Sequence, residues 1–235
     1  VATEIEKQTV RWIAELIGYD AACAGVMVSG GNMANMVAFL AARRAKATWD
    51  VRQHGLRSGA QMVAYASRET HTWIQKAADL SGLGTASIRW IPTDAEQRMA
   101  VDALRRAIEA DVAAGDRPLL VVGTAGTVST GAVDPLPAIA GVCREHGVWL
   151  HVDGAYGGFA AAAPDAPAPL RGLALADSVA VDPHKWLYAP LEAGCALVRD
   201  RAKLVAAFSY HPAYYHLENE ATNFVDYGMQ NSRGF

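Results

Sequence analysis

Apolar residues recur along this chain in two alternating rhythms. Short runs of small, β-branched and aromatic residues at Met62–Ala66, Ala86–Trp90, Leu119–Gly123, Val148–Asp153, Ser178–Asp182 and Cys195–Arg199 have the length and make-up of buried strands. Between several of them the apolar positions fall three and four apart, the spacing of a helix with one buried face. One such helix runs from about Val101 to Ala114 and stops at Gly115. Another takes Asp134 as its cap and Pro135 in its first turn, and ends at Gly147. A third follows Val26-Met27-Val28-Ser29-Gly30-Gly31-Asn32, with Met33, Ala34, Met36, Val37, Leu40, Ala41 and Ala42 at helical spacing. The first residues, Ile5 to Ile17, predict an amphipathic helix with Ile5, Trp12, Ile13 and Leu16 on one face. Strands and helices in alternation predict an α/β fold, a mainly parallel sheet flanked by helices on both faces. The Ala- and Pro-rich stretch Ala160–Pro169 is expected as a surface loop, and the polar, aromatic, aperiodic segment Ser209–His216 as a mobile one.

Composition narrows the class without naming a function. With 51% hydrophobic and 19% charged residues, 235 residues bury a substantial core. A net charge of −3 without a basic stripe leaves no footing for nucleic acid, and Arg43-Arg44 and Arg105-Arg106 decorate exposed helix faces. Cys23, Cys143 and Cys195 are odd in number and far apart, which excludes a metal-ligand spacing and suggests a reducing compartment. No apolar run approaches membrane-spanning length and the first residues lack the basic-then-apolar pattern of a signal peptide, so a cytoplasmic location is expected.

Chemistry enters at the strand ends. The run Ser178-Val179-Ala180-Val181 leads into Asp182-Pro183-His184-Lys185-Trp186, which places a lysine where a buried strand gives way to a turn. At the rim of a core, partial loss of water favours an uncharged amine, and such an amine attacks aldehydes. The strand Val148–Asp153 delivers a carboxylate at its own carboxyl end, just before Gly154, Gly157 and Gly158 open a loop. In strand-helix-strand sheets, ligands bind beyond those ends, so Asp153 and Lys185 are expected to face one pocket. Gly30 and Gly31 at a helix start add amides and a dipole that favour an anion such as phosphate. An aldehyde-binding lysine, an acid for a pyridinium nitrogen and a phosphate turn are the protein's share of pyridoxal phosphate chemistry. Each has a plainer reading alone: a surface lysine, a turn-capping aspartate, an Asn or Ser helix cap.

With Ser29-Gly30-Gly31-Asn32-Met33-Ala34-Asn35, Thr70-His71-Thr72, Gly123-Thr124-Ala125-Gly126-Thr127, His151-Val152-Asp153 and Pro183-His184-Lys185-Trp186 in order, the chain resembles the group II pyridoxal-phosphate-dependent amino acid decarboxylases. That family includes aromatic L-amino acid and histidine decarboxylases, and the likeness covers nearly all of the chain. It implies the large domain of fold type I, the aspartate aminotransferase-like fold, truncated at both ends without its N-terminal arm and C-terminal small domain. It also implies that Lys185 carries pyridoxal 5'-phosphate, Asp153 pairs with the ring nitrogen and His71 stacks on the ring face. Gly31, Asn32 and His184 are then expected near the phosphate, Ala155 near the ring, and Tyr214 in the loop that returns a proton to Cα. No metal is implied. The reaction implied is decarboxylation of an aromatic or related L-amino acid to its amine, in a homodimer when the protein is full length. Aldehyde formation, another lyase or aminotransferase reaction, or an inactive binding role are the alternatives.

Two departures from the family pattern stand out. Val128 replaces a threonine that reaches the cofactor in many relatives, and Asp182 stands where some have an amide near the phosphate. A carboxylate beside a phosphate repels it, so the Asp182 side chain is expected to turn elsewhere. Ala155, Trp186 and Tyr188 are candidates to border an aromatic substrate, with core packing the equal alternative for Trp186 and Tyr188.

Overall fold

A computed structural model describes residues 1–210 and 222–232. Seven strands form one sheet in the order β1-β7-β6-β5-β4-β2-β3. They are β1 (Ala24–Val28), β2 (Met62–Ser67), β3 (Ile88–Ile91), β4 (Arg117–Thr124), β5 (Trp149–Asp153), β6 (Ser178–Val181) and β7 (Gly194–Val198). Strands β3, β2, β4, β5 and β6 run parallel, while β7 lies antiparallel to both β6 and β1. The six expected strands are therefore present, with ends shifted by a residue or two. Strand β1 is an addition, because Val26-Met27-Val28 was read only as the approach to a glycine turn. At five residues, one of them Gly25, its pattern is too short to separate from a turn.

The helices are α1 (Ala2–Leu16), α2 (Gly31–Lys46), α3 (Val51–His54), α4 (Trp73–Leu80), α5 (Val101–Ala113), α6 (Leu136–His146), α7 (Pro183–Trp186) and α8 (Arg201–Phe208). The core is split by the sheet. On one side residues of α1, α5 and α6 pack with Val121, Leu150, Val152, Val179 and Leu197. On the other, residues of α2, α4 and α8 pack with Leu120, Val122, Trp149, Ala180 and Ala196. Neighbouring residues of one strand fall to opposite clusters, as the two-residue pleat requires, so a polar residue in phase with Trp149 must face α2. None of the helices among the described residues is long and apolar enough to cross a membrane.

Two local expectations are corrected. Helix α1 buries Val10, Ile13 and Ala14, whereas Ile5, Trp12 and Leu16 are 62%, 61% and 41% exposed. Two apolar stripes run side by side along this helix, and the sheet takes the one made of smaller side chains. Asp134 does not cap α6. Its carboxylate is buried and accepts from the backbone N–H groups of Met99 (2.7 Å) and Thr124 (2.8 Å), tying the loop before α5 to the end of β4. Burial pushes this carboxyl up to about 6 despite those two donors. The left-handed Gly147 ends α6 as expected. Between two 3-10 turns, Gly158–Ala162 and Ala168–Leu175, the Ala/Pro stretch does run on the surface.

Candidate functional site

Parallel register brings three strand ends level: Thr124 of β4 pairs with Asp153 of β5, and Asp153 with Ala180 of β6. Asp153 is in phase with Trp149 and His151, so its carboxylate emerges on the α2 side. It is only 6% exposed. Oδ2 accepts from the Trp73 indole N–H (2.7 Å) and Oδ1 from the Ala155 backbone N–H (3.1 Å). Both donors are neutral, and among the described residues Asp153 makes no ion pair. The charge is oriented but left for a cation in the cleft.

His151 lies one pleat behind it, fully buried. The Trp149 indole N–H donates to Ser178 Oγ (2.8 Å), Ser178 Oγ lies 2.9 Å from His151 Nδ1, and His151 Nε2 lies 2.7 Å from Asn35 Oδ1. With Asn35 presenting its oxygen, the imidazole carries its proton on Nε2 and Ser178 donates to Nδ1. Burial pushes His151 down to about 4, with Asp153 pulling the other way. This relay fastens the first turns of α2 to β5 and β6.

The turn from β1 into α2 is glycine by necessity. Gly30 has φ +146°, and a Cβ on Gly31 would come within 2.7 Å of Asp182 Oδ2 and 2.8 Å of the Ala155 Cβ. No side chain caps α2, so neither Ser29 nor Asn32 takes the plain capping role, and Gly31 and Asn32 of its first turn border the cleft.

Lys185 sits on the four-residue α7, whose N-cap is Asp182. The expectation of a desolvated lysine is not met. Its side chain is 37% exposed, and its Nζ lies 3.0 Å from Asp182 Oδ2. Asp182 is the second correction, because its side chain turns into the cleft and not away from it. It is 2% exposed, with Oδ2 against Gly31, Lys185 Nζ and, at 3.6 Å, His184 Nε2. The lysine three residues on and the positive end of α2 hold the carboxylate there.

One cleft is bordered by Gly31, Asn32, His71, Asp153, Ala155 and Lys185, six of the residues expected from the sequence. His71 is exposed at its rim, its Nδ1 accepting from the Trp73 backbone N–H (3.2 Å). His184 stands one layer back and does not border the cleft; its Nδ1 accepts from the Ala193 N–H (3.1 Å) and its Nε2 faces Asp182. Val128 is at the mouth, 69% exposed. Of the expected substrate-bordering aromatics, Tyr188 is 92% exposed and outside the cleft, while Trp186 reaches it only through an edge-on contact with Tyr156 (5.7 Å). Tyr214 lies outside the described residues. Among the described residues no group of three or more His, Cys, Asp or Glu is placed to hold a metal ion. Burial raises all three thiols, Cys23 to about 12, which removes them as nucleophiles.

Sequence reasoning gave no role to Trp73, Asn35 or Thr124. Asn35 carried a signal: it falls one turn after Gly31 within an otherwise apolar helical run. Trp73 carried a fainter one, since a buried indole N–H needs an acceptor that no local pattern names.

Residues 1–235 match the family described as the pyridoxal-dependent decarboxylase conserved domain. The chain belongs to this family. An aromatic-L-amino-acid decarboxylase of Bacillus atrophaeus is 37% identical over all of this chain and 48% of its own length. Human cysteine sulfinic acid decarboxylase is 39% identical over 86% of this chain and 40% of its own. Among solved structures, mouse CSAD superposes with a TM-score of 0.92 at 36% identity, covering 98% of this chain and 48% of that one. Oryza sativa TDC, solved with PLP and tryptamine, gives 0.86 at 33%, covering 97% and 49%. The fold is that of the fold type I pyridoxal phosphate enzymes, and the chain spans about half the length of these relatives.

The cleft of this decarboxylase-family chain fits pyridoxal phosphate. An uncapped helix start and a glycine cradle suit the phosphate, and an unpaired carboxylate suits a protonated ring nitrogen. The buried Thr124 Oγ1, which borders the cleft, has no hydrogen-bond partner among the described residues and is left to meet a ligand.

Proposed function

We propose that the full-length protein is a pyridoxal-phosphate-dependent carboxy-lyase that converts an aromatic or related L-amino acid to its amine. The observation that carries this reading is that Asp153 and Lys185, from two different strand ends, border a single cleft that opens at the start of α2. Lys185 holds the cofactor through its ε-amine, and in doing so it leaves Asp182. Asp153 keeps a proton on the ring nitrogen; sheltered from water, a carboxylate does this far better than it would at the surface. When bound, the cofactor supplies the electron sink for the pair left at Cα as carbon dioxide departs. The α2 amides and Gly31 anchor the phosphate, which fixes the ring against rotation. His71, at the rim, covers one ring face and keeps water from it. Tyr214 returns the proton to Cα.

Support for an aromatic or related substrate comes from the relatives, whose names cover aromatic amino acids, tryptophan and cysteine sulfinic acid. The same reading makes the protein a cytoplasmic homodimer, for which the three free thiols and the exposed Ile5, Trp12 and Leu16 on α1 are the supporting features. A second reading is aldehyde formation, favoured by likeness to Rhodiola rosea 4-hydroxyphenylacetaldehyde synthase (TM-score 0.85, 32% identity). The test is to supply the full-length protein and cofactor with a panel of amino acids and identify products by mass. Amine with carbon dioxide supports the proposal. Aldehyde moves the assignment to the second reading, and a keto acid without carbon dioxide overturns both.

A further inference from the structure

Trp73, the first residue of α4, touches both groups expected to flank the cofactor ring. Its indole N–H donates to Asp153 Oδ2 at 2.7 Å, and its backbone N–H donates to His71 Nδ1 at 3.2 Å. The indole is 1% exposed and meets His151 edge-on, with centroids 5.5 Å apart and planes at 88°. We propose that Trp73 is a positioning residue that fixes the plane of the Asp153 carboxylate and couples it to His71, so that one side chain and its own amide set both sides of the ring site. The inference rests on the reading that Asp153 meets the ring nitrogen.

A buried tryptophan always seeks an acceptor, so the bond alone does not decide the matter. The choice of acceptor does. Trp149, equally buried, is satisfied by the hydroxyl of Ser178, within the core. Trp73 instead takes a carboxylate that borders the cleft, where an ionised group with two neutral donors and no cation is costly unless something else uses its charge. The two donors take different oxygens, so the carboxylate cannot turn about its Cβ–Cγ bond without losing both. That leaves its remaining lone pairs in fixed directions, which is what a single ring N–H requires. Accepting at Nδ1 also leaves the His71 proton on Nε2, the far side of the ring from Trp73. Any non-proline residue at position 73 supplies the amide, but only an N–H-bearing side chain of this reach supplies the other bond.

The test uses the full-length protein with pyridoxal 5'-phosphate. Trp73→Phe keeps the aromatic bulk and the amide and removes the indole donor. A hydrogen bond to a charged group is expected to be worth a rise of about 10- to 100-fold in the cofactor dissociation constant, with a changed pH dependence of the bound cofactor's visible spectrum. In an Asp153→Asn background the same substitution should change affinity less than about threefold, since coupled sites are not additive. Equal affinity of Trp73→Phe and the parent, or equal effects of Trp73→Phe in both backgrounds, overturns the proposal as a purely structural role would. Should Trp73→Phe fail to fold, nuclear magnetic resonance of the parent decides: the Trp73 indole N–H resonance must move upfield on Asp153→Asn, and an unmoved resonance overturns the inference. A parent that takes up no cofactor sinks the decarboxylase reading and this inference with it, an outcome distinct from a parent that binds and a variant that binds equally well.

Discussion

The two ends of the cleft are built by opposite means. At the Asp153 end the carboxylate proposed to meet the ring nitrogen belongs to a five-residue strand buried along its whole length, and each of its oxygens has its own donor. At the Lys185 end the amine proposed to hold the cofactor belongs to a four-residue helix with Trp186, Leu187 and Tyr188 exposed around it, and its partner is an aspartate three residues back. The sheet places a charge and holds it still, whereas the short helix offers an amine that, on the proposed function, would change partners to react. A group that only orients can be rigid. A group that forms and releases a covalent bond needs freedom, and low burial provides it.

Removing either end separates these roles. Lys185→Ala is expected to have the largest effect: no cofactor that borohydride can fix to the protein, and amine production below detection. A retained borohydride-fixed cofactor would show that another lysine is the attachment site and dissolve the contrast. Asp153→Asn comes next. Cofactor still binds at saturating concentration, but turnover falls about 100-fold or more, the scale of losing a preorganised charge in a water-poor site. Near-normal turnover would mean that the fixed end is scaffolding only.

The same contrast explains what the sequence disclosed. Strands β2 to β7 were legible because their apolar runs are short and mostly small or β-branched, and Asp153 was legible because it ends one of them. Lys185 was found by its position after β6, yet its burial was misjudged, because exposure and an ion pair depend on how a short helix sits and not on periodicity. Asp182 was misdirected for the same reason: repulsion from a phosphate was weighed, while attraction to Lys185 and to the start of α2 was not. The stripe buried by α1 was missed because two apolar stripes competed on one helix. Trp73 and Asn35 are joined to Asp153 and His151 across 80 and 116 residues of chain, contacts that no local pattern encodes.

The buried relay behind the rigid end predicts a pH signature. His151 has its folded value pushed down to about 4 by burial, from an ordinary 6.5. Between those values the unfolded chain binds a proton that the folded chain refuses, so the stability present above about pH 6.5 drains as pH falls and is gone once pH passes below about 4. The size is about 3 kcal/mol at 1.36 kcal/mol for each unit. Urea midpoints measured at pH 7 and pH 4.5 should differ by an amount that His151→Gln reduces, and an equal difference in both proteins would take His151 out of the account. Proton uptake would also cost the bond from Ser178, because Nδ1 can then no longer accept, while the Nε2 bond to Asn35 that ties α2 to β5 is kept.

Asp182→Asn is the finest probe of the Lys185 end. With the cofactor absent, the carboxylate and Lys185 Nζ form a pair 3.0 Å apart, but the lysine side chain is 37% exposed, so the pair is screened by water and worth little. Once Lys185 leaves for the cofactor, the same carboxylate faces the phosphate end of the cleft without that partner. Asparagine keeps the shape and removes the charge, so cofactor should associate several-fold faster and bind several-fold more tightly, an effect within about 1 kcal/mol for a screened interaction. The gain should shrink as salt is added, which stopped-flow mixing at low and high ionic strength measures. Weaker binding by Asp182→Asn would reverse the argument: it would mean that Asp182 helps to hold the cofactor, and the two ends would then both be sites of fixed and necessary negative charge.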